Sequence, residues 1–138
     1  MNLDARKHLL DYDDVLNRQR NAVYAERLKY LKAGESNTIA PIISELSGVD
    51  PHSPIDRQMA VRLGQHLARI LDFLWIEHLE ALHALRESVG IRAYAQHEPL
   101  VEYRKEAYHR YKALKERFAE IASQTIPKII SNNTDSEK

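Results

Sequence analysis

The distribution of Gly and Pro is the feature of this sequence that most limits its fold. The 138 residues include only four glycines and five prolines, and these cluster mainly within residues 34–54. Long segments elsewhere are therefore almost free of the residues that end helices. Apolar residues in those segments recur at spacings of three, four or seven, which is the period of one side of an α-helix. The sequence predicts an all-α fold.

The first long helix is predicted over residues 4–32, which contain neither Gly nor Pro. Its apolar residues recur every seven positions and form one stripe, at Leu9, Leu16, Val23 and Tyr30. In residues 33–54, Gly and Pro interrupt the helical pattern on both sides of one apolar cluster. They predict a loop, a short helix capped near Asn37 or Thr38, and a second loop.

Two further long helices are predicted to form an antiparallel hairpin. The second long helix should cover residues 55–88, with Ser53 as its N-cap and Pro54 in its first turn. The third should run from Pro99 to residue 126, where Pro127 ends or kinks it. Both carry the seam spacing of a coiled coil, and the short linker between them favours antiparallel packing. The polar residues 131–138 are predicted to be a disordered tail.

A second apolar stripe on the middle helix predicts the position of the first helix. It is rotated by about 100° from the hairpin seam, at a rotation of roughly 100° per residue. Its members are Leu71, Trp75, Leu79 and Leu82. We expect the long first helix to dock on this stripe, which gives a three-helix, coiled-coil-like bundle with one short extra helix.

Composition argues against several functional classes. Lys plus Arg and Asp plus Glu each number 20, so the formal net charge is zero, and no electrostatic attraction to nucleic acid or acidic lipid is expected. The absence of cysteine excludes disulfides and thiolate zinc sites. No apolar run approaches the ~20 residues that span a bilayer. A nucleic-acid-binding or membrane-spanning chain is therefore not expected.

Sequence motifs of catalysis are also missing. The chain contains no GxxxxGK[ST], GxGxxG or GxSxG, so neither phosphate binding by a Gly-rich loop nor a nucleophile elbow is supported. The acidic stretch "DYDDV", residues 11–15, lacks the turn glycine and final glutamate of an EF-hand, and an exposed acidic helix face is the better interpretation. No catalytic, cofactor-binding or metal-binding residue is predicted, and the chain by itself is not expected to be an enzyme.

Histidine and glutamate pairs raise the alternative of a metal site. Glu80 and His83 form one Glu-x-x-His unit and Glu106 and His109 another, as in di-iron carboxylate bundles. Helical geometry places both units on outer sides of the hairpin, which favours ordinary solvated faces. Two other histidines, His66 and His78, lie on or near the apolar seam and are predicted to be hydrogen-bonded core residues.

The segment between the hairpin helices, "IRAYAQHEP" at residues 91–99, is unusually rich in large side chains for a connector. Its candidate contact residues are Ile91, Arg92, Tyr94 and Gln96. In one interpretation, Ile91 folds back on the helix ends and Tyr94 covers them. In the other, a stiff hairpin presents Tyr94 and Arg92 to a partner, because tyrosine gives a large contact area at small entropic cost.

Two segments resemble a known family. Residues 3–27, "LDARKHLLDYDDVLNRQRNAVYAER", resemble the long helix of the helical scaffold domain of the SecA family of bacterial preprotein translocase motors. Residues 71–111, which begin "LDFLWIEHLEAL", are similar to the two-helix finger of that family. The Leu-Trp-x-Glu-His-Leu and Tyr-Ala-Gln signatures occur in the family's order, and the two segments cover about half of the chain.

The resemblance implies a role for each part of the chain. Residues 1–32 would be the scaffold helix that touches the ATPase motor domains, 33–54 a reduced wing, and 55–130 the finger that enters the SecY channel, with its tip at residues 89–99. Tyr94 would correspond to the family's loop tyrosine, which contacts the preprotein. Trp75 would correspond to the family's finger tryptophan. In the family, the finger segment is also tied to restraint of ATP hydrolysis.

By the same resemblance, the chain would couple motor domains to preprotein movement. It would lie in the bacterial cytoplasm and associate peripherally with the inner membrane through the translocon. ATP would be bound only by motor domains, which nothing in this sequence resembles. The alternative is a stand-alone coiled-coil adaptor without translocation activity.

Several positions depart from the family pattern. Residues 33–68 are too few for the family's helical wing, and the tail lacks the zinc-binding cysteines. Ala93 stands where the family commonly has glycine, and His97 and Glu98 where it commonly has Lys and Asp. These changes predict a tip that is less flexible and less basic, in a fragment, split gene or shortened relative.

Overall fold

The fold is all-α, as predicted. The computed structural model describes residues 3–50, 52, 54–92 and 98–136. Its helices are α1 (Leu3–Glu35), α2 (Ala40–Ser47), α3 (Arg57–Arg92) and α4 (Pro99–Ser136). Three long helices pack together and the short α2 packs against α4, which confirms the predicted arrangement of a scaffold helix on a hairpin.

Helices α1 and α3 run antiparallel along most of their length. Asp13, near the start of α1, pairs with Arg86 near the end of α3, at 3.1 Å between Oδ1 and Nη1. Arg27, farther along α1, pairs with Asp72, at 2.9 Å between Nε and Oδ1. The order of partners on α3 is therefore reversed relative to α1.

Helices α3 and α4 form the predicted antiparallel hairpin. Arg117 Nη1 lies 2.8 Å from Glu77 Oε2, and His66 Nε2 lies 2.6 Å from Thr125 Oγ1. Positions that are later on α4 thus meet positions that are earlier on α3. Since α3 is antiparallel to both of its long neighbours, α1 and α4 are parallel to each other.

The core consists of two clusters, which we name by the ends of the bundle at which they lie. The α2 end holds the larger cluster, to which all four helices contribute. Its buried members include Ile39 and Ile43 around α2, Leu63 and Leu67 on α3, and Ile126 on α4. The tip end holds a smaller cluster without α2. Its buried members are Leu82, Leu85, Val89, Tyr103 and Ala107, against which Tyr12, Val15 and Leu16 pack.

Two glycines bring the backbones of α1 and α3 into contact at the α2 end. A Cβ atom on Gly64 would lie 2.6 Å from the carbonyl oxygen of Tyr30, and one on Gly34 would lie 2.8 Å from that of Ala60. Real Cβ atoms do not approach backbone oxygens so closely, so any larger residue would force the helices apart. The sequence shows Gly64 only as a penalty within a helix; the structure explains it as a packing requirement.

The starts of α2 and α3 differ from the predictions. Helix α3 begins at Arg57 and is capped by Asp56, whose Oδ1 accepts a hydrogen bond from the backbone N–H of Met59 at 2.7 Å. The predicted cap, Ser53, lies outside the described residues. The N-cap position of α2 is Ile39, with no side-chain cap hydrogen bond, rather than Asn37 or Thr38.

Both helices of the hairpin extend beyond their predicted ends. Helix α3 continues to Arg92 rather than stopping at residue 88, and α4 passes through Pro127 to Ser136. The prediction that this helix ends at residue 126 was therefore wrong, and α4 includes residues 131–136 of the predicted tail. Proline inside a helix costs about 3 kcal/mol. Burial of Ile126 and the packing of Ile129 against the same core offset that penalty.

No helix in the described part of the chain is both long enough and apolar enough to cross a membrane.

Candidate functional site

The predicted stripe around Trp75 is buried at the interface of the long helices. Leu71 and Trp75 are 4% and 5% exposed and Leu82 is fully buried, while Leu79 is partly buried against the same core. The indole ring of Trp75 lies 5.4 Å from the imidazole of His78, between ring centroids. These side chains are buried among the long helices and contribute to their packing.

One glutamine joins the three long helices through part-buried hydrogen bonds. Gln19 on α1 accepts a hydrogen bond at Oε1 from His78 Nε2 on α3, at 2.6 Å, because an amide oxygen can only accept. Its Nε2 donates to the backbone carbonyl of Ala107 on α4, at 3.0 Å. His78 therefore carries its hydrogen on Nε2. Sequence reasoning identified His78 as a hydrogen-bonded core residue but missed Gln19.

The environment of His78 disfavours its charged form. Burial, and secondarily the positive charge of Arg110, lowers the pKa of His78 to about 4. The imidazole is therefore neutral at neutral pH, and its hydrogen bond to Gln19 is that of a neutral donor. This arrangement favours a structural and orienting role over acid–base chemistry.

At the tip end, the segment at residues 11–15 contributes to packing as well as to the acidic surface. Tyr12 meets Tyr103 edge to face, with 4.8 Å between ring centroids, and the guanidinium of Arg86 lies 5.0 Å from the Tyr12 ring centroid. Burial raises the pKa of both tyrosines. Asp13 pairs with the same Arg86, and Asp14 pairs with Arg18 at 3.1 Å. Two of the three acids thus have partners within the chain.

Two of the four predicted contact residues at the tip lie outside the described residues. Ile91, in the last turn of α3, is 75% exposed, which contradicts the interpretation that it folds back on the helix ends. Arg92 ends α3, and nothing is described of its side chain. Tyr94 and Gln96 lie outside the described residues, so their proposed contacts stay predictions.

The residues of the di-iron alternative do not converge. Glu80, His83, Glu106 and His109 are all exposed. Within the described residues, no three His, Cys, Asp or Glu side chains are grouped so that they could hold a metal ion. The only partner described for Glu106 is Arg110, at 3.9 Å, one turn along the same helix.

Sequence comparisons identify the family. The model of the SecA Wing and Scaffold domain matches the chain in two pieces, residues 1–58 and 57–130. The SecA protein translocase subunit of Acidiphilium cryptum (strain JF-5) is 30% identical over 188 residues, which cover 91% of this chain and 21% of that protein. Its counterpart in Thermodesulfovibrio yellowstonii is 28% identical over 169 residues, covering 82% of this chain and 19% of that protein. No solved structure matches.

The comparisons also indicate where the chain differs from these relatives. It spans about a fifth of their length. The alignment with the Acidiphilium protein, at 188 residues, exceeds the 138 residues of the chain by 50, so that protein carries additional residues inside the matched region. The two matched pieces meet at residues 57–58, at the start of α3. With residues 1–130 matched by its wing and scaffold model, the chain belongs to the SecA family.

Proposed function

We propose that this chain is the scaffold-and-finger part of a SecA-type translocation motor, and that it couples ATPase motor domains to the movement of a preprotein through the SecY channel. Residues 1–32 contact the motor domains, 33–54 are a reduced wing, and 55–130 are the finger. ATP is hydrolysed by the motor domains and not by this chain. Family membership supports the proposal, since the relatives described above are protein translocase subunits.

The observation that carries the proposal is the set of polar links from α1 to the hairpin. They occur at three levels, through the Asp13–Arg86 pair, the Gln19 connection and the Arg27–Asp72 pair. Gln19 bonds to both helices of the hairpin. Because packed helices move as rigid elements, a displacement of α1 by a motor domain is passed to α3 and α4 together.

The tip is the second part of the mechanism. Residues 89–99 contact the translocating polypeptide or the mouth of the channel. Exposed Ile91 supplies apolar area there, and Tyr94 supplies a contact that tolerates many sequences, because an aromatic face packs on most side chains. Arg92 and Gln96 bond to carbonyls or acids of the same partners. The module works at the cytoplasmic side of the bacterial inner membrane, attached through the translocon.

Cross-linking from the tip tests this proposal. A photoreactive amino acid is placed at position 94 of the full chain, assembled with SecA-type motor domains, the SecY channel and a stalled preprotein. We expect adducts to the preprotein or the channel. Position 108 is the matched control, because Tyr108 is an aromatic residue that is 61% exposed on the shaft of α4. Absence of adducts from position 94 to either partner would overturn the tip assignment.

A simpler measurement separates the alternative of a stand-alone adaptor. The purified chain is analysed by light scattering and by pull-down with motor domains. A dimer that binds neither motor domains nor channel would favour the adaptor, whereas a chain that binds the motor domains supports the translocase module.

A further inference from the structure

The charges of the hairpin are segregated along its length, although the chain as a whole is neutral. Residues 57–71 of α3 and 121–132 of α4 contain no Asp or Glu. They do contain Arg57, Arg62, Arg69 and Lys128. Because the helices are antiparallel and His66 meets Thr125, these two segments lie side by side at the α2 end. A local positive surface thus exists that the net charge of zero conceals.

A groove between these segments collects the cationic side chains. It has a volume of about 440 Å³, and its polar lining comes from both helices. The residues that matter here are Arg62, His66, Arg69, Thr125, Lys128 and Asn132. No carboxylate lines it. We name it the α2-end groove.

Among the described residues, the cations of the α2-end groove have no acidic partner, whereas three arginines of the interhelical ion pairs do. Arg27, Arg86 and Arg117 each pair with a carboxylate of a neighbouring helix, at 2.8–3.1 Å. Among the described residues, neither Arg62 nor Arg69 forms an ion pair, and the same holds for Lys128. The three side chains are exposed, so their mutual repulsion is weak, and a bound anion would remove it. The arrangement is typical of a site for an anion.

A hydrogen-bond chain fixes the orientation of the histidine in the groove. The Thr125 hydroxyl donates to the carbonyl of Ile121 at 2.8 Å, so its oxygen accepts from His66 Nε2 at 2.6 Å. The nitrogen left to gain a proton is Nδ1. Burial, and secondarily the positive charge of Arg69, lowers the pKa of His66. His66 is thus neutral at pH 7 and becomes a fourth cation only in acid or beside an anion.

We propose that the α2-end groove binds a phosphate-bearing anion, with Arg62, Arg69 and Lys128 as its cationic contacts. Two arginines and a lysine suit this chemistry, because the guanidinium fork matches two phosphate oxygens and the ammonium group adds a mobile point charge. Asn132 supplies a neutral amide donor on the same side. The phosphate belongs either to a soluble compound or to a lipid headgroup. This inference is independent of the tip contacts proposed above.

An NMR titration of the full chain with inorganic pyrophosphate at low salt tests the site. Backbone signals of residues around Arg62, Arg69 and Lys128 should shift with a saturable dependence on concentration. The triple variant R62Q/R69Q/K128Q should bind at least about tenfold more weakly, a difference of about 1.4 kcal/mol. The control R104Q/K105Q/K112Q removes the same charge from exposed positions on the other half of α4 and should bind like the unmodified chain.

The source of the phosphate is resolved by a second arm with vesicles. Co-sedimentation is measured with phosphatidylglycerol vesicles and with neutral phosphatidylcholine vesicles. Binding to anionic vesicles that is lost in R62Q/R69Q/K128Q supports a lipid headgroup, and binding to pyrophosphate alone supports a soluble ligand. If neither probe binds, or if the triple variant and its control bind equally, the proposal is overturned.

A pH series adds a readout that general charge attraction does not produce. Sulfate is the probe because it keeps its double charge between pH 5.5 and 7.5. The charged groups that line the groove with His66 are Arg62 and Arg69 on α3 and Lys128 on α4, and no carboxylate lines it. Binding should therefore tighten as the pH falls and His66 gains its proton, and H66Q should remove that dependence. A pH dependence that persists in H66Q would contradict the role of His66.

Discussion

The two ends of the bundle differ in how many helices share their core, and the difference predicts which end is more stable. At the α2 end, Ile39 and Ile43 are fully buried in a cluster shared by all four helices, and the backbones of α1 and α3 touch at Gly34 and Gly64. At the tip end, α2 is absent and the core is a short ladder of three α3 residues facing Tyr103 and Ala107. The buried core is therefore larger at the α2 end than at the tip end.

This difference has a consequence for dynamics. Free energies of local opening follow the density of buried apolar contacts, so they should be highest at the α2 end and should fall toward the tip. A densely packed end transmits a displacement as a rigid body, whereas a sparsely packed end adapts to a partner. Such a gradient suits the finger role proposed above. The polar link through Gln19 and His78 lies between the two clusters.

The largest expected effect comes from a matched pair of leucine truncations on α3. Leu67 at the α2 end and Leu82 at the tip end are both fully buried. Leu→Ala substitutions in cores cost about 2–5 kcal/mol, and the cost depends on how far the surroundings collapse into the cavity. We expect about 4 kcal/mol for L67A and about 2–3 kcal/mol for L82A, from urea unfolding. A larger loss in L82A than in L67A would contradict the comparison of the two ends.

The next effect, of up to about 3 kcal/mol, concerns acid stability at the boundary between the ends. Burial lowers the folded-state pKa of His78 to about 4, below the ordinary histidine value of 6.5. The unfolded chain therefore takes up the proton first, so stability is complete above pH 6.5 and is lost as the pH falls toward 4. We expect H78Q to flatten this loss, as measured by urea unfolding between pH 7 and pH 4.

The control for this prediction is H83Q on the same helix, at an exposed position. It should keep the acid dependence of the unmodified chain. His66 adds a smaller loss of the same sign, because its pKa is also lowered by burial. An H78Q variant with an unchanged acid slope would contradict the assignment of the slope to His78.

Local sequence signals predicted the helices better than they predicted the ends of helices and the polar links. Heptad spacing identified α1, α3 and α4, because apolar residues on one face of a helix are only three, four or seven positions apart in the sequence. Gln19 was missed because its partners, His78 and Ala107, are 59 and 88 residues away. Nothing in the sequence around a glutamine marks it as the link between three helices.

The errors at helix ends have a common physical cause. Pro127 is a local signal for a helix end, but the apolar residues that follow it pack on a core completed by α2, and this tertiary contact outweighs the local signal. The α2-end groove was missed for a related reason. A neutral total charge says nothing about its distribution once two helices are folded side by side.

The smallest predicted effects compare the stability contributions of two charged residues of α3, Glu77 and Arg69. Glu77 and Arg117 form a pair at 2.8 Å with side chains 45% and 56% exposed, so E77Q should cost about 0.5 kcal/mol or less. Arg69 lies instead among like charges, so R69Q should leave the free energy of unfolding unchanged or raise it by a few tenths of a kcal/mol. Urea unfolding at low salt measures both, and high salt should abolish the difference because it screens exposed charges.

Saturating pyrophosphate should make the unmodified chain more stable than R69Q, because a ligand held by the Arg69 guanidinium stabilises the unmodified chain more than the variant. An R69Q variant that is destabilised without any anion would show that Arg69 already has a partner within the chain.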